Sequence, residues 1–84
     1  MDRISPSCRK AINLTATGTI AGNFKLSGFY VNSTTGGTIV LTDGSSAITG
    51  TITPAIGWNP FPYMFNTSCV VTIANTINVT FLGE

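Results

Sequence analysis

Apolar and small polar residues alternate along most of this chain, and that alternation constrains the fold more than any other feature. Residues 47–53 are the clearest case, because Ile48 and Ile52 alternate with Thr49, Thr51 and Thr53. A period of two places neighbouring side chains on opposite faces of a β-strand. No stretch of the chain has the apolar spacing of an amphipathic helix. The sequence therefore predicts an all-β fold.

Six strands are predicted, and turn signals separate most of them. The strands are residues 11–20, 23–32, 38–42, 47–53, 67–73 and 76–82. In the second of them, Gly28 predicts a β-bulge or the close approach of another backbone. Residues 32–37, Asp43-Gly44 and Ala74-Asn75 are predicted to be hairpin turns. Pro54 ends the strand 47–53, and residues 55–66 form the longest connection, in which prolines exclude a central strand and favour an extended loop. Short strands at this spacing predict a small antiparallel β-sandwich or jelly-roll-like barrel, formed by residues 11–84 as a single domain.

Charge is scarce in this chain. Only 8% of its 84 residues are Asp, Glu, Lys or Arg, where about 25% is typical, and 43% are hydrophobic. Such a composition favours an apolar surface that meets a protein neighbour. The net charge of +1 provides no basic patch, so no nucleic-acid partner is predicted. No apolar run is long enough for a secretory signal or a membrane helix, so we expect synthesis in the cytoplasm and no membrane contact.

The residues needed for catalysis are missing or scattered. Histidine is absent, which removes the usual general base and the usual zinc ligand. The carboxylates are Asp2, Asp43 and Glu84, of which one lies near each terminus and one lies in a turn. The sequence therefore predicts that the chain is not an enzyme and has no catalytic residue, metal site or cofactor.

Cys8 and Cys69 leave two interpretations open. A disulfide between them would close a long loop and contribute about 3 to 4 kcal/mol of stability. A reducing cytosol opposes that bond, and Cys69 lies in an apolar run where a buried thiol is the simpler interpretation.

Residues 58–65 carry the largest cluster of big apolar side chains, and they have two possible roles. The cluster consists of Trp58, Phe61, Tyr63, Met64 and Phe65. These side chains could anchor a partner or stack on sugars. Alternatively, they close one end of the core, an interpretation that we favour for Phe61 and Phe65. Trp58, Phe61, Tyr63 and Met64 are retained as candidate partner-binding residues.

Three segments of the chain resemble small virion proteins encoded by bacteriophages. They are residues 37–44 (Gly-Thr-Ile-Val-Leu-Thr-Asp-Gly), 60–62 (Pro-Phe-Pro) and 76–81 (Thr-Ile-Asn-Val-Thr-Phe). The resemblance covers roughly residues 24–82 and rests on strand and turn patterns. It implies a capsid decoration (cement) protein or another head or tail component, often a trimer, located in the virion and bound to the major capsid protein or another virion protein. It supplies no catalytic residue.

The same resemblance implies a role for the start of the chain. Residues 1–10 contain Pro6 and most of the charge, and they are expected to form an N-terminal arm that reaches a neighbouring subunit. Arg3, Arg9 and Lys10 are the candidate contact residues in this arm. The alternative function is a receptor- or glycan-binding module of a tail or fibre, in which Trp58 and Tyr63 would contact the ligand.

Overall fold

The computed structural model describes residues 10–84, which form six β-strands and no helix. The strands are β1 (Lys10–Leu14), β2 (Gly18–Ala21), β3 (Phe24–Asp43), β4 (Ser46–Ala47), β5 (Gly57–Phe65) and β6 (Ser68–Gly83). All pairings between them are antiparallel, and all six strands belong to one sheet. The predicted all-β class and the number of strands are confirmed, whereas the choice between sandwich and jelly-roll-like barrel stays a prediction. Within the described residues, no helix is long and apolar enough to cross a membrane.

The two longest strands form the centre of the sheet. β3 has 20 residues and pairs with β6 along most of its length, from Leu26 opposite Gly83 to Asp43 opposite Cys69. On the other side of β6, β1 pairs with its second half and β2 with its first half. On the other side of β3, β5 pairs with its first half and β4 with its last residues. The sheet is therefore four strands wide.

The long ladder between β3 and β6 folds over near its middle. A straight strand of 20 residues would span roughly 60 Å, whereas the longest extent of the described Cα atoms is 38 Å. Phe24, at the start of β3, pairs with Phe65. Asp43, at the end of β3, accepts hydrogen bonds from the backbone N–H groups of Asn66 and Thr67. Both ends of one strand thus meet at the same short segment of chain.

Two residues with positive φ mark the fold in the ladder. Gly36 in β3 has a φ of 63°, and Asn75 in β6 has a φ of 62°. The side-chain amide of Asn75 donates a hydrogen bond to the carbonyl of Gly36 at 2.9 Å. Thr35 and Gly36 both pair with Thr76, which is the two-against-one pattern of a β-bulge. A bulge bends its strand and increases the local twist.

The two hairpin turns predicted at residues 32–37 and at Ala74-Asn75 are therefore wrong. β3 and β6 continue through these positions, and both strands bend there together. One part of the turn prediction is confirmed, since Asn75 adopts the left-handed conformation. Instead of two hairpin turns, these residues form a bend in the paired strands β3 and β6, because each bent segment keeps its hydrogen-bonded partner.

The folded sheet encloses one apolar core. Its buried residues come from β2, β3, β5 and β6, and the core includes both halves of β3 and of β6. They are Ile20, Phe24, Leu26, Phe29, Val31, Ile39, Leu41, Phe65, Cys69, Val71, Ile77, Val79 and Phe81. Phe29 and Phe81 pack against each other with ring centroids 5.6 Å apart. Full burial of one phenylalanine side chain contributes roughly 2 to 3 kcal/mol to stability, through its transfer from water into the core.

Two predicted strands are interrupted where side chains replace the backbone ladder. The predicted strand 11–20 is split into β1 and β2, and between them the Thr17 hydroxyl accepts from the Ile73 N–H at 2.9 Å. The predicted strand 47–53 is reduced to β4 and a single bridge between Ile52 and Ile39. There the Leu41 N–H donates to the Thr49 hydroxyl at 3.0 Å. Threonine hydroxyls can hydrogen-bond the backbone in place of the next strand residue.

The extended loop predicted for residues 55–66 is also wrong, since β5 occupies most of it. β5 is an edge strand that pairs only with the first half of β3. Pro60 and Pro62 lack a backbone N–H, and an edge strand tolerates them because one of its sides needs no ladder bond. The prediction that the prolines exclude a central strand is therefore correct, although the segment is extended and paired.

Candidate functional site

One row of side chains crosses the outer face of the sheet, on the side away from the core. Asn13 in β1 pairs with Thr80 in β6, which pairs with Tyr30 in β3, which pairs with Trp58 in β5. We call these four residues the outer row. Their neighbours along each strand, such as Val31 and Val79, point into the core. Tyr30 and Trp58 are 45% and 46% exposed, so the row presents two aromatic side chains to solvent.

Asparagine side chains from three strands form a hydrogen-bonded group at one end of the outer row. The Asn13 amide nitrogen donates to Asn78 Oδ1 at 2.7 Å and to Thr80 Oγ1 at 3.0 Å. The Asn32 amide nitrogen donates to the same two oxygens, each at 3.1 Å. We call Asn13, Asn32, Asn78 and Thr80 the amide cluster. Because one pair of acceptors serves both donors, the cluster fixes these side chains relative to β1, β3 and β6.

The amide cluster leaves polar groups unused. The carbonyl oxygens of Asn13 and Asn32 accept no hydrogen bond from residues 10–84, and the Asn78 amide nitrogen and the Thr80 hydroxyl donate none within that range. An asparagine side chain has one acceptor oxygen and two N–H donors, and a threonine hydroxyl has one donor. The cluster therefore offers both acceptors and donors beside Tyr30.

Trp58 lies against the backbone of β3 at Gly28. A Cβ atom at Gly28 would be 2.6 Å from the Trp58 ring and 2.6 Å from the carbonyl oxygen of Asn59. The predicted close approach at Gly28 is therefore confirmed, and it is accompanied by a register shift between Leu26 and Gly28. Glycine in a strand loses side-chain packing, and a neighbouring aromatic ring restores it. Part of the indole is thus held by the scaffold, while the rest is exposed.

The outward side chains of β5 form a strip of apolar residues along the edge of the sheet. Trp58, Pro60, Pro62 and Met64 alternate with inward residues, and all four are exposed. We call them the apolar strip. Met64 is 58% exposed, and Ile56, just before β5, is 66% exposed. Of the residues facing this strip across the ladder, Lys25 carries a charge and lies opposite Met64.

The predicted contact residues divide into separate groups. Trp58 and Met64 lie in the apolar strip. Phe61 and Tyr63 point inward and pack against the core, where Tyr63 meets the Phe65 ring edge-on at 4.7 Å. Phe65 itself is fully buried, as the core interpretation predicts.

Two of the three contact residues predicted in the arm lie outside the described residues. Arg3 and Arg9, like residues 1–9 as a whole, lie outside the described residues. Lys10 is exposed at the start of β1, and its Nζ atom is 5.9 Å from the centroid of the Phe24 ring. That distance permits a cation–π contact.

Sequence reasoning missed Tyr30 and the amide cluster. A signal for Tyr30 was present, because it occupies an outward position between Phe29 and Val31, which point inward. A large aromatic residue at a position where the alternation demands a polar one indicates an exposed contact surface. The amide cluster gave no such signal, since its members are 65 and 46 residues apart in sequence and meet only through strand register.

Asp43 joins the end of β3 to the segment between β5 and β6. Its carboxylate accepts the N–H of Thr67 at 3.0 Å and that of Asn66 at 3.1 Å, and it lies 3.5 Å from the Tyr63 hydroxyl. These hydrogen bonds, led by the one from Thr67, lower the pKa of Asp43 below its usual value. The carboxylate has a structural role, because each described partner belongs to the scaffold.

Cys69 is a buried thiol inside the core. It is fully buried, and it has no disulfide partner among residues 10–84. Burial, together with the nearby Asp43 charge, raises the pKa of the thiol to about 12. The buried-thiol interpretation is therefore confirmed as far as the environment of Cys69 is concerned, whereas Cys8 lies outside the described residues.

The described part of the molecule contains no pocket and no group of three side chains that could hold a metal ion. The fold and the outer face define a small all-β module whose candidate site is a sheet surface. Comparison with protein-family models, with curated proteins and with solved structures finds no match to this chain.

Proposed function

We propose that this chain is a non-enzymatic structural protein of a bacteriophage virion, a capsid decoration (cement) protein that binds neighbouring capsid subunits. Its partner is then the major capsid protein or another virion protein. The protein would be made in the host cytoplasm and located in the virion. Supporting this proposal are the resemblance of residues 37–44, 60–62 and 76–81 to such proteins and the low charge of the whole chain.

The observation that carries the proposal is the apolar strip. Three of its residues, Trp58, Pro60 and Pro62, are rigid, and the fourth, Met64, is flexible and adaptable. The centres of protein interfaces are depleted of charge and enriched in Trp and Met. Rigid apolar side chains lose little conformational entropy when they are covered. The strip therefore suits a protein partner that presents an apolar groove or face.

A homo-oligomer, with a trimer favoured, is part of the same proposal. The resemblance implies it, and the exposed edge strand β5, whose outer side has no partner strand in the described sheet, leaves room for a neighbouring copy. Pro60 and Pro62 remove backbone donors from this edge, which blunts strand addition by a further copy. We therefore expect contacts between copies to be made by side chains.

The test uses cells in which the phage that carries this gene is producing particles. A tagged form of the protein is expressed in these cells. Tagged wild-type protein is expected to sediment with purified particles in a density gradient. The variant Trp58→Lys/Met64→Lys puts two charges into the apolar strip, and we expect it to remain at the top of the gradient. Because buried unpaired charge is costly at an interface, the loss should be at least roughly tenfold.

A charge-matched control distinguishes the strip from a general effect of added lysine. Ser45 and Thr53 are both exposed and lie outside the strip, so Ser45→Lys/Thr53→Lys should sediment like the wild type. Circular dichroism of each variant verifies that the strand content is unchanged. Wild-type protein that never sediments with particles, or a strip variant that binds as well as the control, would contradict the proposal.

A second candidate is a receptor- or glycan-binding module of a phage tail or fibre. The observation that favours it is the position of the amide cluster next to Tyr30, because an assembly contact made by the apolar strip does not use the cluster.

A further inference from the structure

We propose that the outer face carries a binding site for a neutral saccharide, formed by Tyr30, Trp58 and the amide cluster. The inference names the ligand class for the second candidate function, the glycan-binding module. It does not depend on the cement-protein proposal, since it concerns a ligand of the folded domain itself. It rests on two observations from different parts of the sheet. One is the pair of exposed aromatic residues in the outer row, and the other is the set of unused polar groups beside them.

The aromatic part of the site is suited to the apolar face of a sugar ring. A pyranose ring has C–H groups on its faces and hydroxyl groups around its edge, so it can lie against an aromatic ring while its hydroxyls remain available. Tyr30 and Trp58 are register partners on adjacent strands and are about half exposed. Trp58 is also braced against Gly28, so the indole is held before any ligand arrives.

The polar part of the site is suited to hydroxyl groups. Hydroxyls both donate and accept hydrogen bonds, and the amide cluster offers both kinds of partner. The amide nitrogens of Asn13 and Asn32 are occupied by Asn78 and Thr80, and this fixes where their carbonyl oxygens point. A ligand would therefore meet polar groups whose positions are already set, which lowers the entropy cost of binding.

The charge and size of the site define the ligand further. The outer row and the amide cluster contain no Asp, Glu, Lys or Arg, so a neutral saccharide fits better than an acidic one. The row crosses four strands, which corresponds to roughly 14 Å at about 4.8 Å per strand spacing. That length suits a short oligosaccharide that lies across the strands. A shallow face with few contacts predicts weak binding, on the order of 1 mM for the dissociation constant.

The single tryptophan of the chain makes the test specific to this face. Trp58 fluorescence is recorded during titration with neutral hexasaccharides of glucose, mannose, xylose and N-acetylglucosamine, and with oligogalacturonate as the acidic comparison. At least one neutral oligosaccharide is expected to change the emission in a saturable way. In nitrogen-15 NMR spectra, the same ligand should shift the side-chain amide signals of Asn13, Asn32 and Asn78. The side-chain amide of Asn59 is bonded to the carbonyls of Ala55 and Gly57 and should not shift.

Two variants and one control complete the test. Tyr30→Ala should weaken binding roughly three- to tenfold, as expected for the loss of one aromatic contact. Asn78→Ala removes an acceptor that orients two other amides and should weaken binding to a similar extent. Met64→Ala removes an exposed apolar side chain of the strip that is not in the site, and it should bind like the wild type.

Two outcomes would overturn the inference. One is wild-type protein whose NMR signals from the amide cluster stay unchanged with every neutral saccharide, and the other is binding of the acidic oligosaccharide alone. Both readings use the wild-type protein, so they stand even if a variant fails to fold. Trp58 belongs to both surfaces, but failure here leaves the sedimentation test with phage particles unaffected, because that test measures binding to particles and uses no saccharide.

Discussion

The indole ring of Trp58 occupies the space where a side chain at Gly28 would lie. An added Cβ atom at Gly28 would be 2.6 Å from both the ring and the backbone oxygen of Asn59. Trp58 therefore has a double role, since one part of the ring attaches β5 to β3 and the other part is exposed at the outer face. The contact adds to the backbone pairing and the buried Phe65 side chain, which also attach the strand with two prolines to the sheet.

The first prediction concerns this contact. Gly28→Ala should destabilise the protein by about 1 to 3 kcal/mol, because the new methyl group must displace both a ring and a strand backbone. The free energy of unfolding is measured by urea titration, and the Trp58 emission of the native variant should shift to longer wavelength. Gly50→Ala is the control, since a Cβ atom at Gly50 meets nothing within 4 Å. Equal stability of the two variants would contradict the prediction.

The second prediction concerns the pH dependence of stability through Asp43. The folded-state pKa of Asp43 is lowered by the Thr67 and Asn66 N–H groups, so the ionised carboxylate stabilises the fold above about pH 4, the unfolded value. This contribution is lost as the pH falls through the lower folded-state pKa. Asp43→Asn should therefore be less stable than the wild type at neutral pH.

The difference between wild type and Asp43→Asn should then shrink on acidification, as measured from urea midpoints between about pH 7 and pH 2. A difference that stays constant over this range would show that the negative charge of Asp43 does not contribute to the free energy of unfolding. The lower stability of Asp43→Asn would then come from packing alone.

The third prediction concerns the bend at Asn75. Asn75→Ala leaves a residue with a Cβ atom at positive φ but removes the polar side chain that helps asparagine to adopt this conformation. It also removes the hydrogen bond to the Gly36 carbonyl. We expect a loss of roughly 2 kcal/mol, combining backbone strain with one hydrogen bond. Asn75→Gly removes the hydrogen bond and relieves the strain, so it should be destabilised by roughly 1 kcal/mol less than the alanine variant. If both variants unfold at the same urea concentration, backbone strain at the positive φ of residue 75 does not contribute to the loss of stability in the alanine variant.

The fourth prediction concerns the reactivity of Cys69. With a pKa near 12, the thiolate fraction at pH 8 is on the order of 10³ lower than that of an ordinary exposed cysteine. In a Cys8→Ser background, native protein should resist iodoacetamide at pH 8, and unfolding in urea should make Cys69 react at the rate of a free thiol. Mass spectrometry measures the modified fraction over time. Rapid modification of the native protein would contradict full burial of the side chain.

Short-range patterns identified the class of structure correctly. The alternation in residues such as Phe24, Leu26, Val79 and Phe81 predicts strands, because a period of two depends only on the local chain. The same reasoning placed Cys69 in the core and attributed a close approach to Gly28. It also indicated that Pro60 and Pro62 exclude a central strand. Each of these results follows from the chemistry of one residue and its immediate neighbours.

The turn signals were interpreted wrongly because they are ambiguous in physical terms. Gly36 and Asn75 both adopt positive φ, which serves either a hairpin turn or a bulge in a continuous strand. Which of the two forms depends on whether a partner strand is available along both flanking segments. Here each bend lies opposite the other, so the ladder continues through both.

The candidate site was only partly predictable for the same reason. Trp58 and Met64 could be named as candidate contact residues, because large apolar side chains next to prolines are visible in the sequence, and the structure shows both to be exposed. Phe61 and Tyr63 were included with them, and the alternation of β5 directs these two inward. A loop would have left their directions free, whereas a strand divides successive residues between the two faces.

By itself, the sequence determined that this chain forms β-strands around an apolar core with little charge on its surface, because periodicity and composition are local properties. Only the tertiary structure decided that β3 and β6 fold over as one ribbon, and that Asn13, Asn32, Asn78 and Thr80 meet beside Tyr30. These relationships depend on strand register. A shift of one residue would send each side chain to the opposite face, and only the packing of the whole sheet fixes that choice.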